Sequence, residues 1–101
     1  MTSLVDQPVI RSNQSQIVLR IRPWSHEQEM DQLTDRLLNM GTHGVIWGAN
    51  TIENVGYGIR ELVIAAVVDE DVLSMDTLLG DITNLHDIIS RVDVSLWNKV
   101  L

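Results

Sequence analysis

Residues 62 to 68 read Leu-Val-Ile-Ala-Ala-Val-Val, a nearly continuous apolar run that ends at the acidic triplet Asp69-Glu70-Asp71. A strand with so few polar positions needs cover on at least one face, which places this run in the middle of a sheet. A second β-rich stretch, about 44 to 54, precedes it, and the two flank the paired glycines Gly56 and Gly58. That pattern predicts a hairpin with an irregular turn. The acidic triplet reads as a solvated loop.

Upstream, Ile17, Leu19 and Ile21 alternate with Val18, Arg20 and Arg22 as far as Pro23, the pattern of a half-buried strand. Ser25-His26-Glu27-Gln28 fits a capping box, and Met30, Leu33, Leu37 and Met40 follow at helical spacing ahead of Gly41, predicting a helix over 26–40. Downstream, Ser74 can cap a second helix whose stripe is Met75, Leu78, Leu79, Ile82 and Leu85. Gly80 costs that helix about 1 kcal/mol relative to alanine. Val92, Val94 and Leu96 then alternate with Arg91, Asp93, Ser95 and Trp97 in a last strand. The order β-α-β-β-α-β predicts an α+β, ferredoxin-like sandwich, with a four-stranded antiparallel sheet, two helices on one face and the other face uncovered. Residues 1–15, rich in Ser, Gln and Asn, read as a flexible arm or linker, leaving 16–101 as the folded domain.

Composition removes several classes of function. The chain has 101 residues and no cysteine, which excludes a disulfide scaffold, a thiolate zinc site and a thiol nucleophile. Fourteen acidic residues against seven basic ones give a net charge of -7, the wrong sign for nucleic acid or an anionic membrane. A basic protein surface is the better partner, because complementary fields steer encounter. No apolar run approaches the roughly 18 residues of a membrane span, and no signal-peptide layout opens the chain, so a cytoplasmic protein is expected.

The titratable residues form no reaction centre. His26, His43 and His86 fall in different elements without ligand spacing, and Glu27, Asp31 and Asp35 line the polar side of the first helix. No glycine-rich loop leads from a strand into a helix, so no nucleotide, metal or other cofactor is expected on this chain. Arg20 and Arg22 on the open sheet face could meet an anion, or could form a mixed-charge solvated surface with Glu61 and Asp93. With no Phe, one Tyr and three Trp, the sheet lacks the aromatic platform of an RNA reader.

Two residues stand apart. Lys99 is the only lysine, placed past the last strand and two residues from the end; it reads either as a charge that reaches into a partner or as a solvated tail. Tyr57, between Gly56 and Gly58 at the hairpin tip, reads either as an exposed protein-binding anchor or as a side chain folded back on the sheet.

The words RIRPW, GVIWGA, NVGYGIRELVI, VVDED and VDVSLWNKV occur collinearly over residues 16 to 100. Together they resemble the carboxy-terminal guanine-nucleotide-exchange domain of eukaryotic translation elongation factor 1-beta, and equally its delta-subunit relative. The resemblance implies the ferredoxin-like fold and an exchange factor, with no chemistry of its own, that ejects GDP from elongation factor 1-alpha. It implies that Lys99 is directed at the partner's magnesium site and that Tyr57 packs beside the partner's switch 2 region. Gly56, Gly58, Arg60, Trp97, Asn98 and Val100 are then the expected partner-binding residues. Contact with elongation factor 1-gamma would run only through an amino-terminal domain that this sequence lacks.

Three positions depart from the family's pattern. Glu61 stands where the second of two basic residues is usual, Val72 stands where a lysine follows the acidic loop, and Leu101 makes Lys99 third from last. The rival reading is a module that docks on the same complex without exchanging nucleotide. An acyl-phosphate hydrolase using Arg20 or Arg22 lacks the phosphate-cradling loop it would need.

Overall fold

The structure is a computed structural model and describes residues 13–24, 29–40 and 43–100. Within them six elements follow in order: β1 (Gln14–Pro23), α1 (Glu29–Leu38), β2 (Val45–Gly56), β3 (Ile59–Asp69), α2 (Met75–Thr83) and β4 (Ile89–Lys99). The strands form one antiparallel sheet in the order β2-β3-β1-β4. This is the predicted ferredoxin-like α+β order, and the apolar run of β3 does occupy a central position.

Alternation along β1 and β3 builds the core. Ile17, Leu19 and Ile21 pair across to Ala66, Ile64 and Leu62, and all six are buried on the helix-covered face. Met30, Leu33 and Leu37 from α1, with Met75, Leu78 and Ile82 from α2, close the same cluster. Each such side chain contributes roughly 1.5–3 kcal/mol through burial, offset by the entropy of ordering the chain.

Local signals explain the helix limits. Ser74, in extended backbone (φ -73°, ψ 152°), accepts a hydrogen bond from the Thr77 N–H at 3.1 Å, the N-cap expected of it. Backbone bonds from Asn39 to Asp35 and from Met40 to Leu37 close α1. The expected capping box at 25–28 and the Gly41 cap lie outside the described residues, as do residues 1–12 of the expected arm. β1 begins at Gln14, two residues before the expected domain start, and Ser15 is fully buried.

The β2–β3 hairpin closes through Tyr57 and Gly58, whose φ values are +55° and +74°. Positive φ at both turn positions matches the twist of the flanking strands, and Tyr57 adopts it at a cost that glycine would not meet.

β4 departs from the sequence pattern. Val18 lies opposite Leu96 but Leu19 lies opposite Val94, so Ser95 is an extra residue, a β-bulge. Simple alternation puts Leu96 with the core and Trp97 on the open face. The bulge reverses both: Trp97 lies opposite buried Ile17 on the helix side, and Leu96 lies opposite Val18 on the open side.

Candidate functional site

The residues singled out by sequence gather at two opposite ends of the sheet. At one end, the last β1–β3 pair joins Ile21 to Leu62, and residues 53 to 61 extend past it as a two-stranded ribbon. Tyr57 caps this ribbon fully exposed, which decides against a side chain folded back on the sheet. A Cβ added at Gly56 or Gly58 would meet nothing within 4 Å. Backbone geometry rather than crowding therefore calls for glycine there, with φ of +102° and +74°. Arg60 pairs across to Asn54 on β2 and is half-buried. Val55 adds exposed apolar surface to the same ribbon, and Ile52, opposite Leu62, adds it at the ribbon's base.

At the other end stands Lys99. It is the last residue of β4, paired with Ser15, and the next backbone N–H, of Val100, donates to the Gln14 carbonyl at 2.8 Å. This corrects the expectation that it lies past the strand, because the ladder with β1 runs further than the side-chain pattern suggests. Its ammonium lies 3.5 Å from Glu70 Oε2 and 3.4 Å from Asn13 Oδ1. The Trp97 indole N–H donates to the same Glu70 oxygen at 3.2 Å, and the Ser15 hydroxyl also donates to it. Asn98, opposite Gln16, is turned to the open face, and Val100 is exposed.

Glu70 is the residue that sequence reasoning passed over as loop. It is half-buried, and the hydroxyl bond from Ser15 holds its carboxyl below the usual carboxylate range. Burial opposes that shift, and Trp97 and Lys99 reinforce it. The available signal was parity: Glu70 is two residues beyond Val68 and so falls on the core side of β3.

Between the two ends, the open face carries an ion-pair network. Glu61, only 6% exposed, accepts from Arg20 Nε at 3.0 Å and from Arg22 Nη2 at 2.8 Å, while Arg20 Nη2 also reaches Glu53 at 2.7 Å. Burial pushes the Glu61 carboxyl up, and the bonds from Arg22 and Arg20 outweigh it, so its pKa falls below the ordinary value. Both arginines are thus engaged within the sheet, which favours the mixed-charge surface over an anion site. Glu61 itself is buried rather than solvated. Arg91 and Asp93 pair at 2.9 Å on the neighbouring strand.

His43 and His86 lie in separate turns, and among the described residues no three His, Cys, Asp or Glu side chains converge as metal ligands. Among them, no helix is long and apolar enough to cross a membrane. The two ends, Tyr57 and Lys99, are on the order of 30 Å apart at about 3.3 Å per strand residue. They cannot act on one small ligand; they can act on one large surface.

Comparison with known proteins matches residues 16–100 to the family described as the EF-1 guanine nucleotide exchange domain. The chain is 34% identical over 86 residues to elongation factor 1-beta' of Bombyx mori, covering 85% of this chain and 39% of that protein. It is 36% identical to elongation factor 1-beta of Xenopus tropicalis, with 85% and 38% covered. Identity to human elongation factor 1-delta is 37%, with 85% and 31% covered. The chain therefore spans less than two-fifths of the length of these relatives.

Proposed function

The chain belongs to the EF-1 guanine nucleotide exchange domain family, and from that premise we propose that it is an exchange factor for elongation factor 1-alpha in the cytoplasm, acting during translation elongation. It would bind the GDP-bound GTPase, loosen the nucleotide and leave when GTP enters. The observation that carries this reading is the family match over residues 16–100 together with a single lysine held at the end of the last strand. In this reading any contact with elongation factor 1-gamma would run through an amino-terminal domain outside residues 16–100.

In the proposed mechanism Lys99 supplies a compact ammonium that competes for the negative groups around the partner's magnesium ion. A magnesium ion at the partner's nucleotide would neutralise phosphate charge, so a cation that competes with it would weaken the hold on GDP. Lysine suits this role because it delivers charge without needing bidentate geometry. Tyr57 at the far tip would wedge beside switch 2, an element whose order depends on the bound nucleotide. Gly56, Gly58 and Arg60 would shape that contact, and Trp97, Asn98 and Val100 the contact around the lysine. The two ends would grip one partner across the sheet's length. By linkage, the factor by which the domain weakens GDP equals the factor by which GDP weakens the domain's own binding. The net charge of -7 supports a partner with a basic surface.

The test is release of a fluorescent GDP analogue from elongation factor 1-alpha with magnesium present. The intact chain should accelerate release, and Lys99→Ala should lose most of that acceleration, about tenfold or more, with its thermal unfolding unchanged because the lysine's ion pair is half-exposed. Wild-type rates in the variant would remove Lys99 from the mechanism. Binding without acceleration by the intact chain would leave a docking module.

A further inference from the structure

We propose that Glu70 is a positioning residue: through its contacts with Ser15, Trp97 and Lys99 its carboxylate sets where the ammonium stands before a partner arrives. This rests on the role given to Lys99 above. Three parts of the fold meet at one oxygen, Oε2: β1 through Ser15, the exit of β3 through Glu70 itself, and the end of β4 through Trp97 and Lys99.

The carboxylate is itself well anchored. The Glu70 N–H donates to the Asn13 carbonyl at 2.9 Å, and the preceding Asp69 N–H donates to Gly44 at 2.7 Å. Ser15 is fully buried, so one of the three donors comes from a side chain with no freedom to wander. The lysine, by contrast, has a long flexible stem and without a partner would spread over many rotamers. Glu70 narrows that spread. A half-exposed ion pair is weak, so the hold biases the ammonium without trapping it.

The other charged groups at this corner do not duplicate the role. Asp71 accepts from Asn13 Nδ2, and Asp69 Oδ1 accepts from the Asp71 N–H at 3.1 Å. Of the three consecutive acids, Glu70 alone has hydrogen-bond partners on β4.

Because Lys99 is the only lysine in the chain, its side-chain methylene and ammonium NMR signals need no assignment by mutation. In the free full chain those signals should shift as Glu70 protonates, at a pH below the ordinary glutamate range. Glu70→Gln should remove that step. In the nucleotide-release assay, Glu70→Ala should lower the maximal rate about fivefold and shift the half-saturating concentration less than about twofold, the size expected from a weak surface charge contact. Glu70→Gln keeps an acceptor for Ser15 and Trp97, and should recover about half of the lost rate.

Lysine signals unmoved by Glu70→Gln overturn the proposal whatever the exchange rate. A wild-type maximal rate in Glu70→Ala, with the lysine signals altered, overturns it as well. If the intact chain releases no nucleotide while its lysine signals do follow Glu70, the contact stands and the exchange reading is what fails.

Discussion

Glu61 is a carboxylate taken almost out of water between two guanidinium groups. The arginines keep it ionised at a pH where a lone carboxylate would begin to protonate, and Glu70 is displaced in the same direction by its donors. A folded-state pKa below the unfolded value stabilises the fold above about pH 4.3, and that contribution is lost as pH falls through the folded pKa. Thermal unfolding should therefore be nearly flat from pH 7 to 5 and decline below. Glu61→Gln should flatten the decline, and calorimetry across that range measures both curves. Removing the carboxylate altogether, as Glu61→Ala, should cost roughly 2 kcal/mol, below the cost of breaking a fully buried pair because Arg20 and Arg22 remain about 30% exposed. A denaturant melt with unchanged midpoint would show the network to be inert.

Among the elements, α2 carries an avoidable cost. Gly80 sits within it, and an added Cβ would meet nothing within 4 Å beyond the helix's own turn. Gly80→Ala should raise stability by about 0.5–1 kcal/mol, by restricting the unfolded chain and improving helix propensity. Denaturant unfolding measures it, and a destabilised variant would mean that the helix uses this glycine in a way its surroundings do not show. The same helix was almost wholly legible in the sequence, because its cap and apolar stripe are local signals. β1 was legible through its period-two alternation, β3 through its apolar run and the hairpin through its paired glycines, all written in neighbouring residues, whereas the two register shifts of β2 were not. β4 was legible only up to Val94. Beyond it the facing of each side chain depends on pairing with residues 15 to 18 of β1, far back in the chain, and no local pattern carries that register. Glu70 escaped notice for a related cause: its three partners come from distant parts of the chain, and only its parity hinted at them.

For the whole molecule, the decisive geometry is that the two proposed contacts lie at opposite ends of a rigid sheet. Groups so far apart share no neighbours, so their effects should combine independently. Tyr57→Ala should raise the partner concentration needed for half-maximal exchange by about tenfold, the loss expected of an exposed aromatic anchor. Lys99→Ala should act chiefly on the maximal rate, and the double variant should show the product of the two losses. Kinetics of the four proteins test this, and a double variant no worse than Lys99→Ala alone would mean that the tyrosine matters only once the lysine is in place. Sequence resemblance pointed to both residues. Their separation, and the carboxylate beneath the lysine, came only with the fold.

The bulge at Ser95 makes the position of the ammonium a matter of counting. Side chains on a strand face alternate sides, so one residue more or fewer between Val94 and Trp97 would leave composition and hydropathy almost unchanged while turning the lysine to the sheet's opposite side. Length there is a stricter requirement than identity: Ser95 could be exchanged for many residues, but it could not be left out.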